Sequence, residues 1–274
     1  MSALPPPLRR EWLCAALETL IARRGEERFL TAPLVVPDDR CFPDRWTPDA
    51  AGVAALARRL LAYAGLERLR VSIEMFENER DIHEIGLDGT ASKWSHAGAA
   101  AWFAGIDGDT CLFGAERDKL GDPLGLVAAM AHETAHAFRR VHRLEIADHD
   151  VEERLTDVTT VYLGFGVLTT AASARYITKS HDNLGSSYSH QQQGYLAPAE
   201  MAFLLGAQLV LRGHDTKTVR SVARLLPANQ AASLRAAVAA IDRATIADLL
   251  GLAAIPAPPR PAAQRTWWQR LFGG

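Results

Sequence analysis

The run Ala129–Phe138 sets His132 and His136 four residues apart with Glu133 between them, and it is otherwise uncharged and free of proline. A run of this kind is helical, and residues i and i+4 share one face of a helix. Two imidazoles so placed reach a single zinc ion at about 2.0–2.1 Å each. Glu133 points to the adjoining flank, where a carboxylate can take a proton from a water held at that ion. The bland alternative is a packed helix whose two histidines are satisfied by ordinary neighbours. Two histidines leave the ion short of ligands, so the chain must bring a third donor to this helix from elsewhere. Asp122-Pro123 supplies the helix start, and the helix is expected to run to about Val141.

The third donor is expected in the segment DHDVEERLTDVTTVYLGFG (Asp148–Gly166). Read as a helix capped by Asp150 and running to about Gly164, it puts Glu153 and Asp157 on one face, with Glu152 about a quarter-turn away. Glu153 is the expected third ligand. Asp157 is then the carboxylate that accepts the free ring N–H of a ligand histidine and fixes its tautomer. The competing role for Glu153 is the return half of a capping box on Asp150, in which case Glu152 or Asp157 substitutes for it at the metal.

The order HETAH then ERLTD, with Glu153 17 residues after His136, resembles the gluzincin branch of the zincin metallopeptidases, of which thermolysin is a member. The resemblance spans Asp122–Tyr162, and the chain looks like one of the bacterial HExxH proteins. The resemblance implies a zincin-like fold, a Zn2+ cofactor, a peptide or protein substrate, and Glu133 as general base. A metzincin reading, in which His142 completes HExxHxxGxxH, fails because that pattern needs a glycine where this chain has Arg139. On an unbroken helix His142 also faces well away from the other two histidines. It is expected at a surface or in a loop, and His149 remains a weaker alternative ligand. Zinc peptidases need a donor for the oxyanion of the tetrahedral intermediate. The polar stretch Lys179–Gly194 and the residues just after it offer His181, Tyr188, His190 and Tyr195. Tyr195 and His190 are the expected candidates, each against the plainer role of an ordinary loop residue.

Around this block the pattern is mostly helical. Leu8–Arg24 reads as an amphipathic helix, and Thr47-Pro48 as the start of another that stops at Gly65. Leu69–Phe76 alternates as a strand, Asn78–Ala97 reads as a loop, and two apolar runs flanking Asp107-Gly108-Asp109 read as a β-hairpin. Three or four more helices fill Ala197–Leu252. The expectation is an α+β, predominantly helical zincin-like domain with a small antiparallel sheet packed on the HExxH helix. It comprises residues 1–252, with a helical subdomain over about 197–252. Residues 253–274 are a Pro/Ala linker and the aromatic, basic tail TWWQRLFGG, which is suited to weak contact with a membrane surface or a partner, against the plainer role of docking on the chain's own body.

Composition removes several other classes. With 30 Lys+Arg against 32 Asp+Glu there is no basic excess for nucleic acid. Three widely spaced cysteines (Cys14, Cys41, Cys111) form neither a disulfide framework nor a CxxC site. The N-terminus lacks the apolar core of a signal peptide, and no apolar run approaches the roughly 20 residues of a membrane span. A cytoplasmic setting is therefore expected. The functional expectation is a zinc-dependent hydrolase, a metallopeptidase working through a Glu-activated water. The alternative is a catalytically silent zincin-like scaffold with a regulatory or partner-binding role.

Overall fold

Among the described residues, five helices begin on an aspartate whose carboxylate accepts a backbone N–H three residues on, which is the sequence signal that delimits them. Asp49 caps α3 (Ala50–Tyr63), Asp122 caps α4 (Pro123–Val141) and Asp148 caps α5 (His149–Tyr162). Asp215 caps α8 (Thr216–Arg224) and Asp242 caps α10 (Arg243–Leu249). The remaining helices are α1 (Pro7–Arg24), α2 (Glu26–Thr31), α6 (Gly166–His181), α7 (Pro198–Leu211) and α9 (Ala228–Ala240). The computed structural model describes residues 3–77, 82–85, 91–94, 100–181 and 196–252. Among them no helix is long and apolar enough to cross a membrane.

Two caps differ from expectation. Asp49, and not Thr47, caps α3, because the Thr47 hydroxyl is spent on the Asp49 carboxylate at 2.8 Å. Asp148, and not Asp150, caps α5, its carboxylate accepting from the Val151 amide at 3.1 Å. The capping box proposed for Glu153 therefore does not form, and that carboxylate is available to face α4.

The architecture is α+β and predominantly helical. Strands β1 (Arg70–Phe76), β4 (Ala101–Asp107) and β5 (Thr110–Glu116) form one sheet in the order β1-β5-β4. β4 and β5 are the expected antiparallel hairpin. The sheet as a whole is mixed and not purely antiparallel, because β1 joins the other side of β5 in parallel register, Arg70 opposite Thr110. The segment expected as a loop between β1 and β4 contains a second hairpin, β2 (Ile82–Ile85) and β3 (Ala91–Trp94), whose polar residues hid its alternation. On the main sheet Trp102 lies across Gly114, its cross-strand neighbour. A Cβ there would sit 1.9 Å from the indole, so only glycine fits.

α4 lies between the sheet and the helices. It packs on β4 from one side and on α5 and α6 from the other, while α3 covers β1. The apolar core gathers Leu13, Leu17, Phe29, Leu60, Phe113, Met130, Phe138 and Tyr162, all within 1% of full burial. A smaller cluster joins α6 and α7 to α8 and α9 through Val167, Leu205, Leu209, Val222 and Leu234. The four helices over 198–249 match the expected helical C-terminal region. The tail 253–274 lies outside the described residues.

Candidate metal centre

The buried stripe of α4 carries Leu126, Met130 and Ala137 into the core, and the same helix presents His132 and His136 toward α5. The contacts 132 with 157, 136 with 156 and 139 with 152 run in opposite directions along the two helices, so the pair is antiparallel. That arrangement brings the Glu153 carboxylate against both imidazoles. His132 Nε2 lies 3.1 Å from Glu153 Oε2, and His136 Nε2 lies 3.3 Å from Glu153 Oε1. One ligand atom from each of the three residues falls within 4.8 Å of the others. Ligands held at about 2.05 Å in a tetrahedron are themselves about 3.3 Å apart. The donor set, two neutral-capable imidazoles and one carboxylate, therefore fits a divalent cation such as zinc in both chemistry and spacing.

Asp157 stands where expected, its Oδ1 3.0 Å from His132 Nδ1. Its other oxygen accepts the Leu196 amide at 3.0 Å, which ties the entry to α7 to the back of His132. Burial opposes a charge on His132, but its hydrogen bonds to Asp157 and Glu153 outweigh that and hold the imidazole well above the usual histidine range. Glu153 moves the opposite way. Burial would raise it, and the two histidines more than reverse this, so it stays ionised far below the usual carboxylate range.

Glu133 sits one residue round from His132. Its Oε2 accepts the backbone N–H of Phe103 on β4 at 2.8 Å. Burial raises its carboxyl above the usual range, partly offset by His136 and His132. A carboxylate made more basic in this way, beside three ligand atoms, is suited to accept a proton.

The alternatives to Glu153 are otherwise engaged. Glu152 makes a two-pronged ion pair with Arg139, with both N···O distances 2.7 Å and both side chains buried. His149 is more than half exposed, and its Nδ1 stays 3.9 Å from Glu153 Oε1, outside the group. His142 ends α4, half-buried against the Phe138 ring at 4.3 Å, with its Nε2 3.4 Å from Arg24. It is packed more closely than a surface residue but takes no part in the site. His190, Tyr195 and Tyr188 lie outside the described residues. His181 is the last residue of α6, so the helix extends into the stretch expected as a loop.

Four contacts had no forecast in the sequence. They are Phe103 N–H to Glu133, the Arg139–Glu152 pair, Leu196 N–H to Asp157, and the Thr156 hydroxyl 3.3 Å from His136 Nδ1. Only the last carried a signal, since Thr156 lies three residues after Glu153 and shares its helix face. No protein-family model matches the chain, and no curated protein or solved structure is significantly similar to it.

Proposed function

We propose that the chain is a zinc-dependent hydrolase that cleaves peptide bonds. The reading is carried by one observation: one ligand atom from each of two imidazoles and a carboxylate converge within 4.8 Å, and a second carboxylate, Glu133, is held on the adjoining helix flank by the Phe103 amide. His132, His136 and Glu153 would hold the ion. Zinc, when bound, supplies a Lewis acid that polarises a carbonyl and acidifies water. Glu133 does the proton work. Held by the Phe103 amide, its carboxylate takes a proton from the attacking water and delivers it to the leaving amine, so that one residue serves as base and then as acid. Asp157 would hold His132 in the tautomer that leaves its Nε2 free to take the ion. The HETAH and ERLTD resemblance to the gluzincins supports the same assignment.

The test combines metal analysis with substitution. The native protein is expected to carry one zinc per chain, lost in His136→Ala and kept in His142→Ala. Glu133→Gln is expected to keep zinc and to lose hydrolysis of a peptide library. If native protein holds stoichiometric zinc but cleaves nothing in that library, the scaffold reading replaces the hydrolase. If it holds no zinc under metal-replete conditions, the centre itself is wrong.

A further inference from the structure

The two ligand histidines are backed differently. His132 has a carboxylate behind its Nδ1, whereas His136 has a hydroxyl, Thr156 Oγ1, at 3.3 Å. A hydroxyl can give one hydrogen and accept at two lone pairs. The hydrogen of Thr156 is already committed, because Oγ1 donates to the Glu152 carbonyl at 2.9 Å in the same helix. Thr156 is fully buried, so no water competes for the arrangement. What faces His136 is therefore a lone pair, and a lone pair can only be met by a ring N–H.

We propose that Thr156 is a positioning residue of the site. Its hydroxyl accepts the His136 Nδ1–H and so fixes the tautomer that turns the Nε2 lone pair toward a divalent cation. The inference rests on the metal centre proposed above. With it, one helix face supplies three functions in five residues: Glu153 as ligand, Thr156 behind one imidazole, Asp157 behind the other. The asymmetry has a chemical consequence. A neutral acceptor orients His136 without adding negative charge behind it, so His136 is the weaker donor of the two.

The probe is zinc itself, titrated against a chromophoric chelator, in the full chain and in Thr156→Val and Thr156→Ser. Valine keeps the shape and removes the oxygen; serine keeps the oxygen. Outer partners of metal-bound histidines are worth about 10–100-fold in affinity. A loss of about tenfold is expected in the valine variant, and near wild-type affinity in the serine variant. A second readout needs no variant of Thr156. In zinc-loaded, 15N-labelled wild-type protein, His136, assigned by the loss of its signal in His136→Gln, is expected to show an Nδ1-bound proton protected from solvent exchange. Equal zinc affinity in wild type and Thr156→Val, or a His136 Nδ1 proton that exchanges freely in wild type, overturns the proposal. Wild type that binds no zinc overturns the metal centre and this inference together, which separates the two failures.

Discussion

The Arg139–Glu152 pair stands where a metzincin would break its helix, and its removal has a calculable cost. Arg139 is 3% exposed and Glu152 8%, and they meet through two N···O contacts of 2.7 Å. Arg139 Nη2 also donates to the Leu144 carbonyl at 2.9 Å, and its Nη1 to the Thr159 hydroxyl at 3.3 Å. In Arg139→Met the Glu152 carboxylate loses both arginine donors and keeps, among the described residues, the Ile146 amide, and the Leu144 carbonyl loses its arginine. Stripping one partner from a buried pair costs about 3–5 kcal/mol. For a chain of this size, at about 2 °C per kcal/mol, that is a fall of roughly 6–10 °C in the thermal midpoint. Urea unfolding followed by circular dichroism measures the loss directly. The double variant Arg139→Met/Glu152→Leu should recover most of it, because no charge is then left without a counterpart. Zinc affinity should fall in the single variant, since the pair also fixes the α4–α5 register that places Glu153. A single-variant cost below about 1 kcal/mol would falsify the premise that this pair locks the two helices.

Asp157→Asn is expected to weaken zinc binding by about 10–100-fold. An asparagine has one acceptor oxygen, so either His132 or the Leu196 amide loses its partner; unchanged affinity in a chelator titration would remove Asp157 from the centre. His142 is held at about 4 by burial and by the nearby charges of Arg24 and Arg28. Between about pH 6.5 and pH 4 the unfolded chain therefore takes up a proton that the folded chain refuses, and stability drops as pH falls through that window. His142→Gln should lose less stability than wild type between pH 7 and pH 5, and parallel losses in urea titrations would contradict the assignment. Gly164 has φ 92°, and a Cβ there would lie 2.1 Å from the Pro33 carbonyl. Gly164→Ala is expected to cost on the order of 1–3 kcal/mol, and a change within about 0.5 kcal/mol would show that residues 33–35 move aside freely.

The helix bearing the two histidines could be read from local signals alone, because capping aspartate, N1 proline and uncharged periodicity all agree over Pro123–Val141. The hairpin at Gly108-Asp109 was equally local. The parallel pairing of β1 with β5 was not, since nothing in either strand encodes a partner 40 residues away. At the site, Glu153 and Asp157 were readable because spacing on one helix decides which residues face α4. The cap of α5 is ambiguous in sequence because two aspartates, Asp148 and Asp150, flank its first residue, and only backbone geometry selects Asp148. The amides of Phe103 and Leu196 carry no side-chain signature at all.

Main-chain ties of this kind escape a mutational survey. The partner of Glu133 is a main-chain group, so replacing Phe103 by alanine, or by any residue other than proline, leaves the hydrogen bond intact. A side-chain scan would score position 103 by the packing of its ring against Phe113 and would pass over its tie to the Glu133 carboxylate. Tolerance at that position would be the mark of a contact that the genetic code can scarcely reach, and only proline, or an ester in place of the amide, would expose it.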